Sequence, residues 1–309
     1  MSSFSLSYHT PSPTLFGLKK ELNDIIKLHK ISKLPKVLML SGEKGIGKFT
    51  LAFHFLANYF DKENYNFKDL QIQKESIFSQ QFEKNIFSNI IYVEASTLKI
   101  EDIRKLKADI LKTLIVSKER FIIIDDVELL NKSCINALLK IIEEPTINNY
   151  FILINNKKKK IIETIHSRTL EFKIILNNQT RTDVIKSLIK RDNLIDYNID
   201  YQNTNISPGN FLIFNDILSK NEINLADNYL NNFSLLLSLY KKEKNYSFID
   251  LILYLTEIYF SKALKKKDIN LDKLVENKSF VVSNIDKFLL FNLNQNSLIN
   301  AINNKFSNE

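Results

Sequence analysis

The chain has 309 residues, of which 44% are hydrophobic and 25% charged, so it is long enough for two or three folded domains. Its single cysteine, Cys134, excludes an internal disulfide and a multi-cysteine zinc site, and no metal site is predicted. The net charge of +8 rests on 43 basic residues of which only five are arginine, and lysines spread along a chain usually form solvated surface rather than a nucleic-acid-binding face.

Membrane and secretory segments are not predicted. The N-terminal stretch Met1–Pro13 lacks the positive region followed by an apolar core that marks a secretory signal. The most apolar later stretch, Phe248–Leu264, carries Asp250, Glu257 and Lys262 and is shorter than the roughly 20 apolar residues of a spanning helix. We therefore expect a core helix there and a cytoplasmic protein.

Short apolar runs alternate with helical patterns between about residues 14 and 175, which predicts an α/β fold with a parallel sheet buried on both faces. The runs are 37–40, 90–93, 121–124, 151–154 and, more weakly, 170–174. Helices are predicted over 98–114, from the apolar stripe Ile103, Leu106, Ile110 and Leu114, and over 131–144, where Pro145 ends the helix. Residues 61–88 form an insertion to which no structure is assigned.

Three domains are predicted from these patterns. Residues 1–176 form the α/β domain, and residues 177–220 form a small helical domain interrupted by a loop over 203–210. Residues 221–309 are helical throughout, because Leu, Ile and Phe recur there at intervals of three and four residues.

A glycine-rich loop follows the first predicted strand and precedes a helix. It contains Gly42, Gly45, Gly47 and Lys48, in the order required for binding phosphate: the glycines allow backbone N–H groups to point inward, and the helix N-terminus and the lysine add positive charge. The alternative is a strand-to-helix turn that binds no ligand.

The residue after the lysine of such a loop normally supplies a hydroxyl to Mg²⁺, but here it is Phe49. Thr50 is one position later, and one step along a helix rotates a side chain by about 100°. We therefore expect the loop to bind phosphate but to bind the metal poorly.

Two carboxylates follow the third predicted strand. Asp125, at the end of a buried strand beside the phosphate loop, is placed to contact the water shell of a metal ion. Asp126 comes next. The alternative is that both carboxylates cap the turn into the next helix, as aspartate often does.

Three further motifs resemble the clamp-loader clade of AAA+ proteins. The segment Asn136–Pro145 resembles its ALLK-x-x-EEP signature, Phe151–Asn156 its sensor-1 strand, and Ile165–Thr169 its Ser-Arg-Cys motif, with Thr169 in place of cysteine. The resemblance implies an AAA+ P-loop domain with a parallel sheet, a small helical lid and an all-α C-terminal collar. It also implies that Asn155 contacts nucleotide.

Within the clade, the chain is most similar to the delta-prime type of DNA polymerase III subunit, which does not hydrolyse ATP. Hydrolysing members carry a hydroxyl where Phe49 lies, a glutamate where Asp126 lies, and a sensor-2 arginine near Gly209. Because a displacement of about 1 Å can lower a rate by about 100-fold, the shorter Asp126 is a poor substitute for glutamate. No cofactor is required, although Lys48 and the glycines could retain ATP or ADP without magnesium.

The resemblance also implies partners and a role for Arg168. The family forms a five-membered ring with delta and gamma/tau subunits, which opens the sliding clamp and places it on primed DNA. In such a ring Arg168 would reach the ATP of a neighbouring subunit as an arginine finger. The alternative is a surface arginine paired with a carboxylate such as Glu163 or Glu171.

Other interpretations remain open. The chain could be an active gamma/tau-type motor subunit, or a stand-alone P-loop module that needs neither the Ser-Arg motif nor the helical C-terminal third. The lysines at 157–160 could contact nucleic-acid phosphates, but such a run is more often solvated. The aromatic residues Phe248, Tyr254, Tyr259 and Phe260 are expected to build a core and an oligomer-forming collar rather than stack on bases.

Overall fold

The computed structural model describes residues 11–73, 75–84, 86–111, 119–194, 197–225, 227–264 and 270–307. The chain forms two compact units. The first unit comprises residues 1–192 with 207–209, and the second comprises 193–206 with 210–309. The division into three domains at residues 176 and 220 stays a prediction.

The first unit is built around a parallel sheet. Within the described residues the strands are β1 Val37–Ser41, β2 Tyr65–Asn66, β3 Gln71–Ile72, β4 Ile90–Glu94, β5 Arg120–Asp125, β6 Asn149–Asn155 and β7 Leu170–Lys173. Five of them form the main sheet in the order β4-β5-β6-β1-β7, with every pair parallel, and β2 and β3 form an antiparallel pair. The predicted α/β fold and its five strands are confirmed.

The two faces of the sheet are buried in different cores. Successive residues of a strand point to opposite faces, so Leu38 and Leu40 of β1 lie in one core, whereas Val37 and Met39 lie in the other. All five residues of β1 and all six of β5 are buried, as expected for strands covered on both sides. Because the strands are parallel, their carboxyl ends lie along the same edge of the sheet, and burial of both faces holds that edge in place.

Helices cover the sheet and form the second unit. In the described residues they are α1 Lys19–Lys30, α2 Lys48–Phe60, α3 Ile77–Glu83, α4 Ile100–Leu111, α5 Lys132–Ile142, α6 Glu163–His166, α7 Asn178–Asp192, α8 Pro208–Lys220, α9 Tyr229–Glu243, α10 Ser247–Ala263, α11 Leu271–Phe291 and α12 Gln295–Ser307. Helix α4 buries the predicted stripe at Ile103, Leu106 and Ile110, while Leu114 lies outside the described residues.

The insertion at 61–88 folds into the β2–β3 pair and α3 and packs on α2 through aromatic rings. The Phe53 ring centroid lies 4.6 Å from that of Phe82 and 5.5 Å from that of Phe78. The chain before α1 joins it, because Ile72 donates its N–H to the carbonyl of Pro13 at 2.8 Å and Leu15 pairs with the Leu70 carbonyl. Aromatic packing and the preceding chain thus hold together a segment whose sequence showed no clear pattern.

The loop predicted over 203–210 is shorter than expected, because α8 already begins at Pro208. Proline suits the first position of a helix, where its fixed φ is helical and its missing N–H would have no partner within the helix. Ser207–Asn210, interpreted from sequence as a loop, therefore includes the first turn of a helix.

The second unit is helical, as predicted. Its core contains Phe233 of α9, Leu251 of α10 and Phe288 of α11, each at most 2% exposed. Helix α10 coincides with the apolar stretch at 248–264 and buries Phe248 and Phe260, which confirms it as a core helix. Across the described residues, no helix combines the length and apolar character needed to cross a membrane.

Candidate functional site

The phosphate loop joins β1 to α2 and depends on two of its glycines. Gly47 has φ +96°, which residues with a side chain rarely adopt. A Cβ at Gly42 would lie 2.5 Å from the carbonyl oxygen of Ile174, so that position accepts no side chain without movement of the backbone. The loop conformation is therefore set by its glycines, as the sequence predicts for a phosphate-binding turn.

Lys48 begins α2 and turns its ammonium back onto the loop. The side chain is buried, and Nζ donates to the carbonyl oxygens of Gly42 at 2.8 Å and Glu43 at 2.6 Å. Burial lowers the pKa of Lys48 to about 8, although nearby carboxylates, chiefly Asp125 and Glu128, act in the opposite direction. Two loop carbonyls thus hold the amine against the glycine-rich loop.

Phe49 occupies the position of the magnesium-binding hydroxyl and packs into the core. Its ring centroid is 5.0 Å from that of Tyr92 on β4 and 6.2 Å from that of Phe82 on α3. Thr50 follows in the first turn of α2 and is half-buried. The helix start therefore places an aromatic ring at position 49 against β4, the strand that pairs with β5, which ends at Asp125.

Asp125 ends β5 and is 7% exposed. Its Oδ1 accepts the N–H of Asp126 at 2.8 Å, and its Oδ2 accepts the Tyr92 hydroxyl at 3.4 Å. Burial, followed by the charge of Asp126, raises the pKa of Asp125 to about 6, and Lys48 offsets this only in part.

Asp126 adopts the left-handed conformation, with φ +54°, and its carboxylate contacts the loop after β6. Oδ1 accepts from the amide of Asn156 at 2.6 Å, and Oδ2 accepts from the ammonium of Lys158 at 3.1 Å. Burial alone would raise the pKa of Asp126, but Lys158 and Asn156 outweigh it and the pKa is lowered. The side chain does not cap the following turn, so the capping alternative is wrong for Asp126.

The loop after β6 is fixed by a third carboxylate, Glu128. Its Oε1 accepts the N–H groups of Asn156 at 3.0 Å and Lys158 at 3.2 Å. Asn155, predicted to contact nucleotide, donates its amide to Ser41 at 3.3 Å and accepts the N–H of Lys157 at 2.9 Å. The strand end at Asn155 is therefore tied both to β1 and to its own loop.

The side chains around Asp125 and Asp126, at the ends of β5 and β6, are called the pocket below. Sequence reasoning missed three of its residues: Glu128, Asn156 and Lys158. Asn156 is the last residue of the segment predicted to resemble the sensor-1 strand, and this position was a usable signal. Lys158 was interpreted together with its lysine neighbours as solvated, and nothing in a run of four lysines distinguishes the one that forms an ion pair.

The predicted sensor-2 position lies directly on the phosphate loop. Gly209, in the first turn of α8, donates its N–H to the carbonyl oxygen of Gly45 at 2.7 Å. A Cβ at Gly209 would lie 2.9 Å from both the Cα and the carbonyl oxygen of Gly45. A side chain at 209, such as the arginine expected in hydrolysing relatives, would therefore require the Gly45 backbone to move.

Arg168 contacts residues other than those of the pocket. Its Nε and Nη2 donate to the same oxygen of Glu143, at 2.9 and 2.7 Å, and Nη1 donates to the carbonyl of Thr164 at 2.9 Å and to the hydroxyl of Ser167 at 3.2 Å. The pairing with a carboxylate that the alternative predicted is therefore present, but the partner is Glu143, which follows α5, and not Glu163 or Glu171. The Arg168 side chain is 35% exposed, and these hydrogen bonds orient its guanidinium.

The residues of the pocket do not fit a magnesium ion. The hydroxyl ligand is replaced by Phe49, and the Asp126 carboxylate is paired with an ammonium. Among the residues that the structure describes, no group of three or more His, Cys, Asp and Glu side chains could hold a metal.

Comparison with known proteins shows one family. The family model described as "DNA polymerase III, delta subunit" matches residues 17–177, which is more than half of the chain. DNA polymerase III subunit gamma of Buchnera aphidicola from Schizaphis graminum is 32% identical over 222 residues, covering 69% of this chain and 60% of that protein. Subunit delta' of the same organism is 27% identical, covering 57% of this chain and 54% of that protein.

The chain spans about half the length of the curated relatives it matches, between 48 and 60% for the first four. Among solved structures, a DNA polymerase III gamma subunit-related protein of Thermotoga maritima is 16% identical, with a TM-score of 0.49. That similarity covers 90% of this chain and 97% of the other.

Proposed function

Because the chain belongs to the DNA polymerase III, delta subunit family, we propose that it is a non-hydrolysing subunit of a bacterial clamp loader. In this role it assembles with gamma/tau and delta subunits in the cytoplasm and helps to load the sliding clamp onto primed DNA. It splits no ATP itself and requires no cofactor.

The observation that carries the proposal is the position of Phe49. An ATP-hydrolysing P-loop needs a hydroxyl there to hold Mg²⁺, and the metal neutralises the charge that develops on the phosphates. The Phe49 ring instead packs 5.0 Å from the Tyr92 ring. Gly209 supports the same conclusion, because an arginine at this position would require the Gly45 backbone to move.

Arg168 is the residue we propose to act on a neighbouring subunit. A guanidinium directed at a γ-phosphate stabilises the transition state of phosphoryl transfer. Arg168 is partly exposed, and Glu143 and the α6 turn hold its planar group in one orientation. A partly exposed, oriented guanidinium outside the chain's own phosphate loop suits a role in trans.

The proposal is tested in reconstituted rings that contain Arg168→Ala. We expect one kinetic phase of single-turnover ATP hydrolysis, stimulated by clamp and primed DNA, to slow by about 10³–10⁵-fold. Arg104→Ala, at an exposed position of α4, is the matched control and should leave every phase unchanged. Unchanged hydrolysis in rings that assemble normally with Arg168→Ala would refute the role of the arginine.

The second candidate is an active motor subunit, which is favoured by the higher identity and coverage of the gamma relative. A motor would show Mg²⁺-dependent ATP turnover that Lys48→Ala abolishes, whereas the proposed subunit shows none when purified. A chain that stays monomeric with every clamp-loader subunit would instead favour a stand-alone module.

A further inference from the structure

The acidic pocket at the ends of β5 and β6 already contains a cation that belongs to the chain. We propose that the ammonium of Lys158 takes the place of a metal ion at Asp126 and keeps divalent cations out of this pocket. The inference deepens the proposed function, because it names the residue that holds the pocket in a metal-free state.

The ion pair is positioned by the backbone. Nζ of Lys158 lies 3.1 Å from Oδ2 of Asp126, and the side chains are 27% and 12% exposed. The N–H of Lys158 is bound by Glu128, and Lys157 turns the loop through a left-handed conformation with φ +57°. The ammonium is therefore directed to the carboxylate by a fixed loop, which reduces the entropy lost when the pair forms.

All four carboxylate oxygens of the aspartate pair accept hydrogen bonds. Oδ1 of Asp125 accepts from the Asp126 N–H at 2.8 Å and from Asn156 at 3.3 Å, and its Oδ2 accepts from Tyr92 at 3.4 Å. The two oxygens of Asp126 accept from Asn156 at 2.6 Å and from Lys158 at 3.1 Å. A metal ion would have to displace at least one of these donors.

One oxygen in the cluster is different. Glu128 is only 8% exposed, and its Oε2 is buried without a hydrogen-bond partner among the described residues. A buried carboxylate oxygen without a donor is costly unless a positive charge compensates it. The three carboxylates thus outnumber the two ammonium groups described beside them, those of Lys48 and Lys158.

The competition between Lys158 and a metal ion is electrostatic and can be measured directly. Binding of Mn²⁺ to the full chain, without nucleotide, is followed by electron paramagnetic resonance at low ionic strength. We expect Lys158→Ala to bind Mn²⁺ at least about tenfold more tightly than the native chain, because a repelling charge close to the carboxylate is removed.

Lys159→Ala is the matched control, since it removes one exposed lysine from the same run and lowers the net charge equally. It should leave Mn²⁺ affinity unchanged. The double variant Lys158→Ala with Asp126→Asn should lose the gain, because the freed carboxylate is gone. Lys158→Gln, which keeps a polar side chain, should reproduce the gain of the alanine variant.

Three results would overturn the proposal: equal Mn²⁺ affinity in the native and Lys158→Ala chains, an equal gain in Lys159→Ala, or a gain that survives Asp126→Asn. None of these measurements requires a ring, a clamp or DNA. Failure of the metal exclusion is therefore distinguishable from failure of the proposed role of Arg168, which is observed only in assembled complexes.

Discussion

Replacing Asp125 with asparagine should stabilise the first unit at neutral pH. The pKa of its carboxyl is raised from 3.8 to about 6, by burial first and then by the charge of Asp126. A carboxyl with a higher pKa in the folded chain than in the unfolded chain binds its proton more tightly when folded. Asp125 therefore lowers stability as the pH rises from 3.8 to about 6. Asparagine keeps an oxygen for the N–H of Asp126 and carries no charge.

The magnitude follows from the difference of about 2 between the folded and ordinary pKa values. At 1.36 kcal/mol per pH unit, the ionised Asp125 destabilises the folded chain by roughly 3 kcal/mol above pH 6. The advantage of Asp125→Asn should therefore be close to zero at pH 4, grow between pH 4 and 6, and reach a plateau of up to about 3 kcal/mol at higher pH.

The assay is amide hydrogen exchange of β5 peptides, measured by mass spectrometry between pH 4 and 8 for the native and variant chains. Asp126→Asn is the control of opposite sign: the pKa of Asp126 is lowered, so its ionised form stabilises the folded chain, and that stability is lost as the pH falls. A pH-independent difference for Asp125→Asn, or stabilisation by Asp126→Asn at neutral pH, would refute the reasoning.

Three further predictions concern stability. Leu51→Ala removes a fully buried side chain and should lower the unfolding free energy by roughly 2–5 kcal/mol in urea denaturation. Gly209→Ala places a Cβ 2.9 Å from the Gly45 backbone and should cost about 1–3 kcal/mol, with faster hydrogen exchange in the phosphate loop. Burial lowers the pKa of His54 to about 4, so the native chain should lose roughly 3 kcal/mol relative to His54→Gln as the pH falls from 6.5 to 4.

Each of these has a result that contradicts it. An unchanged urea midpoint for the leucine variant would mean that its site is not packed as described. Normal exchange in the loop after the glycine substitution would mean that the backbone contact is not maintained in solution. For the histidine, equal pH profiles of the two chains would show that the ring is accessible to protons when folded.

Most of the main sheet was predictable because four of its five strands carry a clear signal of their own, whereas the edge strand β7 is partly exposed and its signal is weak. The runs at 37–40 and 121–124 are apolar without interruption, and a strand buried on both faces requires this. The phosphate loop was equally clear, since its glycines satisfy local backbone requirements that can be read within a few residues. These features depend on short-range chemistry.

The contacts of the pocket were not predictable, because they join residues about 30 positions apart in sequence. Lys158 meets Asp126, and Asn156 meets both aspartates, only once β5 and β6 lie side by side. Glu143, the carboxylate partner of Arg168, was missed for the same reason, whereas Glu163 and Glu171 were considered because they are close in sequence.

The packing of Phe49 makes a hydroxyl at this position structurally costly. Threonine at this position would restore the missing oxygen but leave a void between α2, Tyr92 and Phe82, where the aromatic ring now fills the space. Asp126 would also have to give up the hydrogen bonds that it accepts from Asn156 and Lys158 before it could bind a metal. Phe49→Thr alone would therefore lower stability without freeing the aspartates to bind a metal.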